Sequence, residues 1–430
     1  MQLVGNAQTL RHFLQRVKVA MHDRFYTSFP WVLLQAQQGK LTCTAFHARL
    51  HVAVTLARDL TIETEGESVL NYYDLVHALR SMSGLISLWA QDLSVLLRQE
   101  GEYPRQFRLD RKTAGQFPAF SPLVDAALGA TWTRKETVQE ECAACHQRTG
   151  SREVIQVYQV TELETQRVRL PKGQLLSLLE EVQWAANPPE DARHTGIALE
   201  IGSQRISLAA TDGFRLAWST REAAGTGNWP RAVHVPARAF ITGARLVPDE
   251  DAVLVEAVFT HSTLSQENGQ QEEEPAPALV KPALLRLTAG TCVVTIPLLS
   301  EDIPLYRSVL SQECVTRVVC ETGALRQAVQ AVAPLSEADQ LRLFCDVGRI
   351  RIEAMSHAKD RTPTFYTIPI VDQTGPAASV VLDGAYVADV LRHIDTPHLS
   401  FDYCGTAKPV MLRPYGGRKE SCFAVMPIKH

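Results

Sequence analysis

Several features of exported and membrane proteins are missing from this chain of 430 residues. No apolar run approaches the roughly 20 residues that a transmembrane helix needs, so we expect no membrane span. Basic residues interrupt the apolar pattern of residues 1–25, which predicts that this stretch is not a signal peptide. The nine cysteines are mostly isolated in strand-like runs, which favours reduced thiols in a cytoplasmic protein.

A large excess of positive charge is also missing, because the formal net charge is −4. This argues against a protein whose whole surface is coated by nucleic acid, but it allows an acidic exterior with one basic face. Hydrophobic residues make up 45% and charged residues 21%, which is ordinary for a globular protein. At roughly 150 residues per domain, the length predicts about three domains.

One pattern of helices and strands occurs three times. Apolar residues at helical spacing begin at Leu10, Leu175 and Leu325, and basic residues run beside the first stripe. Alternating, strand-like runs follow at 41–45, 206–210 and 350–354. A second helix is then predicted in each repeat, with Asn71 and Asp383 as N-caps and Pro236 as a first-turn residue.

Each repeat thus combines two short helices with many alternating strands. This predicts an α+β fold with helices on one side of antiparallel sheet, and the period is too long for a solenoid. The predicted domains are 1–128, 166–313 and 314–430, and residues 129–165 form an extended linker or insertion between the first two. Residues 265–277 are polar, acidic and proline-containing, which predicts a disordered surface loop.

The most distinctive short stretch is residues 210–217, which read ATDGFRLA. It follows an alternating strand-like run, and Asp212 with Gly213 is a turn signal because glycine adopts positive φ at no steric cost. By itself this pattern predicts an ordinary hairpin as readily as a functional one. Further stretches read VPAR at 235–238, IPLYRSVL at 303–310 and VMPIK at 425–429.

These motifs, in this order on a threefold repeat, resemble the family of the bacterial DNA polymerase III beta subunit, the sliding clamp. The resemblance implies three tandem DNA-clamp domains, each built of two βαβββ halves, with helices lining a ring and antiparallel sheets outside. It implies a non-catalytic processivity factor without cofactor, which closes as a head-to-tail homodimer around double-stranded DNA in the cytoplasm, at the nucleoid. The other implied partners are the replicative polymerase, the clamp loader and further proteins with a clamp-binding motif.

The resemblance also assigns residues to three surfaces. The implied pocket for partner peptides comprises Thr211, Gly213, Phe214, Arg215, Leu216, Pro304, Val309, Val425, Met426, Pro427 and Ile428. The implied DNA-binding residues are Arg11, Arg16, Lys18, Arg24, Arg80, Arg193, Arg238, Arg326 and Arg392. The implied dimer interface comprises Phe107, Leu109, Pro334 and Leu335.

Some residues depart from the family pattern. Phe214 stands where the family often has histidine, and Ser308 where a basic residue is common, which bears on peptide preference. Residues 356–361 lack the acidic cluster that often completes the family's seam. The alternative function is therefore a clamp-fold paralogue that serves as a protein-interaction scaffold without encircling DNA.

A third class of function is suggested by the spacing of Cys142, Cys145 and His146, which matches haem c attachment. That chemistry belongs to an exported compartment, and a zinc half-site lacks a second ligand pair at the usual spacing. An incidental loop is the favoured interpretation, and we expect no metal.

Overall fold

The computed structural model describes residues 1–18, 30–47, 50–101, 103–117, 131–141, 148–186, 196–223, 227–248, 252–264, 279–299, 306–336, 339–355, 364–417 and 420–428. The chain divides into two compact units. The first unit comprises Met1–Arg169 with Thr242–Ser300, and the second comprises Leu170–Ile241 with Glu301–His430. No helix in the described ranges is long and apolar enough to span a bilayer.

Most of the strands are short, and they follow one another closely along the chain. They are β1 (Gln2–Asn6), β2 (Trp31–Gln37), β3 (Lys40–His47), β4 (Leu50–Leu56), β5 (Leu60–Thr64), β6 (Gly66–Asn71), β7 (Leu85–Ala90), β8 (Ser94–Gln99), β9 (Arg105–Lys112), β10 (Thr131–Glu141), β11 (Arg148–Leu170), β12 (Gly196–Ile201), β13 (Arg205–Thr211), β14 (Arg215–Glu222), β15 (Val233–Pro236), β16 (Val253–Leu264), β17 (Leu279–Ala289), β18 (Cys292–Pro297), β19 (Thr316–Glu321), β20 (Gln340–Asp346), β21 (Arg349–Ala354), β22 (Phe365–Pro369), β23 (Asp372–Thr374), β24 (Ala378–Asp383), β25 (His398–Tyr403), β26 (Val410–Tyr415) and β27 (Glu420–Val425).

The α-helices are short and alternate with these groups of strands. They are α1 (Ala7–Gln15), α2 (Tyr72–Arg80), α3 (Lys172–Val182), α4 (Ala237–Leu246), α5 (Tyr306–Leu310), α6 (Thr322–Val332) and α7 (Gly384–Arg392).

The first unit is built on one sheet, whose strands pair in the order β10-β11-β16-β17-β18-β4-β3-β2-β6-β9-β8-β7-β1-β5. Helices α1 and α2 pack against each other. Each begins at an asparagine whose side chain accepts backbone N–H bonds, Asn6 for α1 and Asn71 for α2. Since these bonds satisfy N–H groups that have no partner within the helix, they fix where each helix starts.

In the described part of the second unit the strands form two sheets, in the orders β15-β12-β13-β14-β27-β26-β25-β19-β23 and β22-β21-β20-β24. Strand β14 of the second repeat pairs with β27, the last strand described, from Arg215↔Val425 to Thr220↔Glu420. This pairing joins the strands of two repeats into one sheet.

The predicted repeat is confirmed in its elements. Leu10, Leu175 and Leu325 are all buried on the first helix of their repeats. The three predicted strands lie within β3, β13 and β21. Asp383 caps α7 as predicted, whereas Pro236 is the last residue of β15 and lies before α4. The mixed α+β class with mostly antiparallel sheets is therefore observed.

The stretch expected to be an extended linker or insertion is largely β-structure. Strands β10 and β11 pair from Thr131↔Gln159 to Glu141↔Arg148. The reason is visible in the sequence, because β-branched and aromatic residues such as Trp132, Val138 and Val157 recur through it. Residues 142–146 and 265–277 lie outside the described residues. The three predicted domain boundaries stay a prediction.

Candidate functional site

The hairpin between β13 and β14 is held by bonds within its own turn. The Thr211 hydroxyl accepts from the Gly213 N–H at 3.0 Å and donates to the Arg215 carbonyl at 2.7 Å. The Asp212 carboxylate accepts the N–H groups of Phe214 and Arg215, both at 3.0 Å. Gly213 has φ of 93°, a conformation that strains other residues. The turn therefore presents Phe214, which is 56% exposed, on a rigid base.

Beside this hairpin the second unit has a cavity of about 310 Å³. It is lined by Thr211, Gly213, Phe214, Arg215, Leu216, Tyr306, Ser308, Val309, Pro409, Ala424 and Met426. Its floor is a buried cluster that includes Leu216, Met411 and Cys422. A mostly apolar concave surface with a few polar groups is the usual form of a binding site.

The hairpin turn, residues 211–215, has two charged side chains, those of Asp212 and Arg215. The Arg215 side chain is 9% exposed. Its Nε donates to Asp212 Oδ2 at 3.0 Å, and its Nη1 donates to Asp389 of α7. The guanidinium also lies 4.8 Å from the ring centre of Tyr386 and 5.4 Å from that of Trp184. Two carboxylates and two aromatic rings thus surround this charge, which stabilises it away from water.

The aromatic residues around Arg215 extend the cluster in two directions. Phe214 stacks on Tyr386 with ring centroids 6.2 Å apart. Trp184 stacks on His393 at 5.1 Å, nearly parallel. Burial lowers the pKa of His393, which keeps this ring neutral near pH 7. The cluster fixes α7 of the third repeat against the hairpin of the second.

The predicted pocket residues divide into those that line the cavity and those that do not. The cavity brings together seven of them, Thr211, Gly213, Phe214, Arg215, Leu216, Val309 and Met426. Val425 is fully buried and paired with Arg215 and Val410, so it packs in the core while its neighbours Ala424 and Met426 face the cavity. Pro427 and Ile428 are half-buried beyond the lining residues, and Pro304 lies outside the described residues.

Four lining residues are absent from the predicted set of pocket residues: Tyr306, Ser308, Pro409 and Ala424. Two of them had a signal, since Tyr306 and Ser308 lie inside the distinctive stretch 303–310. Ala424 is opposite Leu216 in the β14–β27 register, and Pro409 precedes β26. These two positions depend on strand pairing across the sheet, which the sequence does not display.

The predicted DNA-binding residues differ in their surroundings. Arg16, Lys18, Arg80, Arg238 and Arg392 are exposed, and Arg11 is half-buried. Arg392 pairs with Asp389. Arg326 donates to the carbonyls of Leu391 and Ile394 at 2.8 and 3.0 Å. Its guanidinium therefore provides hydrogen-bond donors to carbonyl groups at the C-terminal end of α7. Arg24 and Arg193 lie outside the described residues.

One acidic residue of α3, the first helix of the second repeat, is engaged by side chains of the neighbouring sheet. Glu181 of α3 ion-pairs with Arg221 and accepts a hydrogen bond from Ser421 at 3.2 Å. Both its charge and its hydrogen-bonding oxygens are therefore directed at the sheet. Glu180, by contrast, is exposed.

The predicted interface residues lie in two different settings, Phe107 and Leu109 on strand β9 and Pro334 and Leu335 in a 3-10 turn after α6. Phe107 and Leu109 are half-buried on β9, opposite Leu97 and Val95 of β8. Within the described ranges, β9 pairs with β6 only at Arg111 and Lys112, so most of that edge carries no neighbouring strand. In the second unit Pro334 and Leu335 are exposed, and β22 ends its sheet with Phe365 and Tyr366 exposed.

The comparisons with known proteins agree with this fold. Residues 169–272 match the family of the DNA polymerase III beta subunit, central domain. The resemblance to this family is thereby confirmed. The beta sliding clamp of Pseudomonas putida is 24% identical over 264 residues, which cover 60% of this chain and 65% of that protein. That of Synechococcus elongatus is 25% identical over 238 residues, 55% of this chain and 58% of that protein. The matched part thus spans less than two thirds of either relative.

Solved structures of the family share the whole fold. The DNA polymerase III beta subunit of Pseudomonas aeruginosa matches with a TM-score of 0.70 and 20% identity, over 100% of both chains. The Caulobacter crescentus pol III beta structure matches with a TM-score of 0.72 and 19% identity, also over 100% of both chains. The residues that the structure describes therefore have the sliding clamp fold. Among the residues that the structure describes, no group of three His, Cys, Asp or Glu side chains is arranged to hold a metal ion.

The buried charge at the hairpin gives a first prediction. Arg215→Ala leaves the buried Asp212 without its cationic partner, and breaking such a pair typically costs about 3–5 kcal/mol of unfolding free energy. The matched control is Arg205→Ala, which removes an exposed pair with Glu420 in the same sheet and should cost at most about 1 kcal/mol. Chemical denaturation followed by tryptophan fluorescence measures both. Equal losses in the two variants would contradict the structural role of Arg215.

Proposed function

We propose that the protein is a DNA sliding clamp, a non-catalytic processivity factor that encircles duplex DNA and tethers the replicative polymerase. The observation that carries this proposal is the apolar cavity on the Thr211–Leu216 hairpin, in a chain with the sliding clamp fold. The clamp loader and other proteins with a clamp-binding motif would use the same cavity. The compartment would be the cytoplasm, at the nucleoid.

The cavity suits a short peptide with apolar anchor residues. Leu216 and Val309 offer branched apolar contacts, and Met426, 38% exposed, has a flexible side chain that adapts to different ligands. The charge of Arg215 is already matched by Asp212 and Asp389. We therefore infer that apolar anchors of the ligand, rather than a carboxylate, supply most of the affinity.

Shortening two apolar side chains that line the cavity tests whether it binds the peptide. Leu216→Ala combined with Met426→Ala should weaken a Gln-x-x-Leu-Phe-type peptide by about 1–3 kcal/mol or more, roughly tenfold or more in Kd, because central apolar contacts dominate such interfaces. Calorimetry or fluorescence anisotropy measures the affinity. Val347→Ala, at an exposed turn of the same unit, is the control and should bind as the wild type does. Unchanged affinity in a folded double variant would place the peptide site elsewhere.

DNA binding would use positive charge without base readout. Arg16, Lys18 and Arg80 are exposed at the ends of the packed pair α1 and α2, while the whole chain is slightly acidic. Phosphate contacts from such helices are independent of sequence, so they hold the duplex while it slides. Arg326 would contribute by positioning α7, because its donors are engaged with backbone carbonyls.

Ring closure would join β9 of one copy to β22 of another. The two edges are different surfaces, so the contact is head-to-tail and closes when its rotation divides a full turn. Strand β22 reads FYTIP and carries no carboxylate, whereas β9 carries Arg105 and Arg108. Backbone pairing and burial of Phe365, Tyr366, Phe107 and Leu109 would then hold the seam, with little contribution from opposite charges.

Charge placed in this seam tests closure. Phe107→Asp with Leu109→Asp would bury two unpaired carboxylates across the interface, so we expect a folded monomer in light scattering. The control replaces Leu85 and Leu93 with Asp, since both are strongly exposed in the same unit. That variant should keep the mass of the wild type. A dimer that survives the first change would place the interface at another edge.

A second candidate function rests on the same edge. Because β22 carries no acidic residue to face the basic side chains of β9, the ring would lack an electrostatic component. This observation favours, as the alternative, a clamp-fold scaffold that binds partner proteins without encircling DNA. The two functions share the peptide pocket and differ in their behaviour on circular DNA.

A further inference from the structure

One wall of the cavity is a helix too short to hold itself in place. Helix α5 has five residues, of which Tyr306, Ser308 and Val309 line the cavity. Isolated helices of this length are unstable in water, so tertiary contacts must fix its position. Tyr306, 7% exposed, packs in the cluster beneath the cavity, and Val309 and Leu310 pack against that cluster.

The side chains of Tyr306 and Arg307 on α5 make a polar contact with a residue that does not line the cavity. Glu200 lies on β12, where it is opposite Ser207 of β13. The Tyr306 hydroxyl donates to Glu200 Oε2 at 2.8 Å, and Arg307 Nη2 donates to Glu200 Oε1. Glu200 is absent from the residues that line the cavity. One carboxylate thus binds two consecutive side chains at the start of the helix.

We propose that Glu200 is a positioning residue of the peptide pocket, which holds α5 through Tyr306 and Arg307 in the orientation that the ligand requires. The proposal rests on the proposed peptide-binding function and adds a determinant outside the binding surface. Two bonds to neighbouring side chains fix both the rotation and the depth of the helix. A wall that is ordered before binding does not lose that freedom when the peptide binds, which raises affinity.

The hydrogen bond from Tyr306 to Glu200 persists over the neutral pH range. Burial is the largest cause, and the hydrogen bond to Glu200 the second largest, that raises the pKa of Tyr306 to about 12. The phenol therefore stays protonated and donates to the carboxylate throughout the neutral range. Arg307 is 68% exposed and Glu200 32% exposed, so solvent screens this ion pair and it adds little to global stability. The expected role is local, in the position of the wall.

Three substitutions separate positioning from a general structural effect. Glu200→Ala removes both acceptors and should weaken the Gln-x-x-Leu-Phe-type peptide by roughly 5–20-fold, because α5 must then be ordered on binding. Glu200→Gln keeps an acceptor for Tyr306 and should stay within about threefold of the wild type. The matched control is Glu420→Ala, which removes an exposed arginine pair in the same sheet and should leave the affinity unchanged.

A double-variant cycle tests the route through Tyr306. Tyr306→Phe removes the hydroxyl and keeps the ring, so it should weaken the peptide by itself. In the Glu200→Ala background it should cause little further loss, because the two groups act as one contact. Full additivity of the two losses, or wild-type affinity in Glu200→Ala, would overturn the proposal.

Hydrogen exchange tests the wall without any ligand. The Ser311 N–H donates to the Arg307 carbonyl at 3.0 Å, so its exchange reports on α5. Exchange at this amide should be faster in Glu200→Ala than in the wild type, while the amides of β12 and β13 keep their protection. Equal exchange in both proteins overturns the positioning role. If the wild type fails to bind the peptide, the proposed function fails, and this measurement still decides the role of Glu200.

Discussion

In the second unit, the placement of the β13–β14 hairpin beside α7 depends on the buried guanidinium of Arg215. A buried charge persists only when it is matched, and here Asp212 comes from its own hairpin while Asp389 comes from α7 of the third repeat. Tyr386 and Trp184 cover its faces. The same charge therefore shapes the hairpin and fixes a helix of another repeat beside it. The hairpin that this charge shapes forms one wall of the cavity.

Charge is handled differently in the two units. At the cavity the charges are internally matched, which leaves an apolar surface for Leu216 and Met426 to present. In the first unit, basic side chains are exposed just after α1, at Arg16 and Lys18, and at the end of α2, at Arg80. In the proposed function the first kind of surface would recognise side chains of a partner, and the second would bind any phosphate backbone. The proposed function, which is to tether enzymes to DNA without reading its sequence, requires both.

Local patterns predicted much of the fold. Leu10, Leu175 and Leu325 marked equivalent helices, and Asn71 and Asp383 marked helix starts, because spacing and capping are properties of neighbouring residues. The seven predicted residues of the cavity followed from the resemblance. Glu200 and Tyr306 meet across more than a hundred residues of sequence, and the inward direction of Val425 depends on its pairing with Arg215. Such features come from tertiary pairing, so no local pattern reveals them.

The central claim is that the chain closes around DNA, and retention on circular DNA tests it most directly. After loading by a clamp loader, the protein should stay on a closed circular plasmid and leave when a single cut makes the plasmid linear, because a ring slides off free ends. Arg11→Ala with Arg16→Ala and Lys18→Ala should weaken binding to a short duplex more than retention on the circle, since topology does not depend on charge. Equal retention on the circular and the cut plasmid would contradict the account and favour a scaffold that does not encircle DNA.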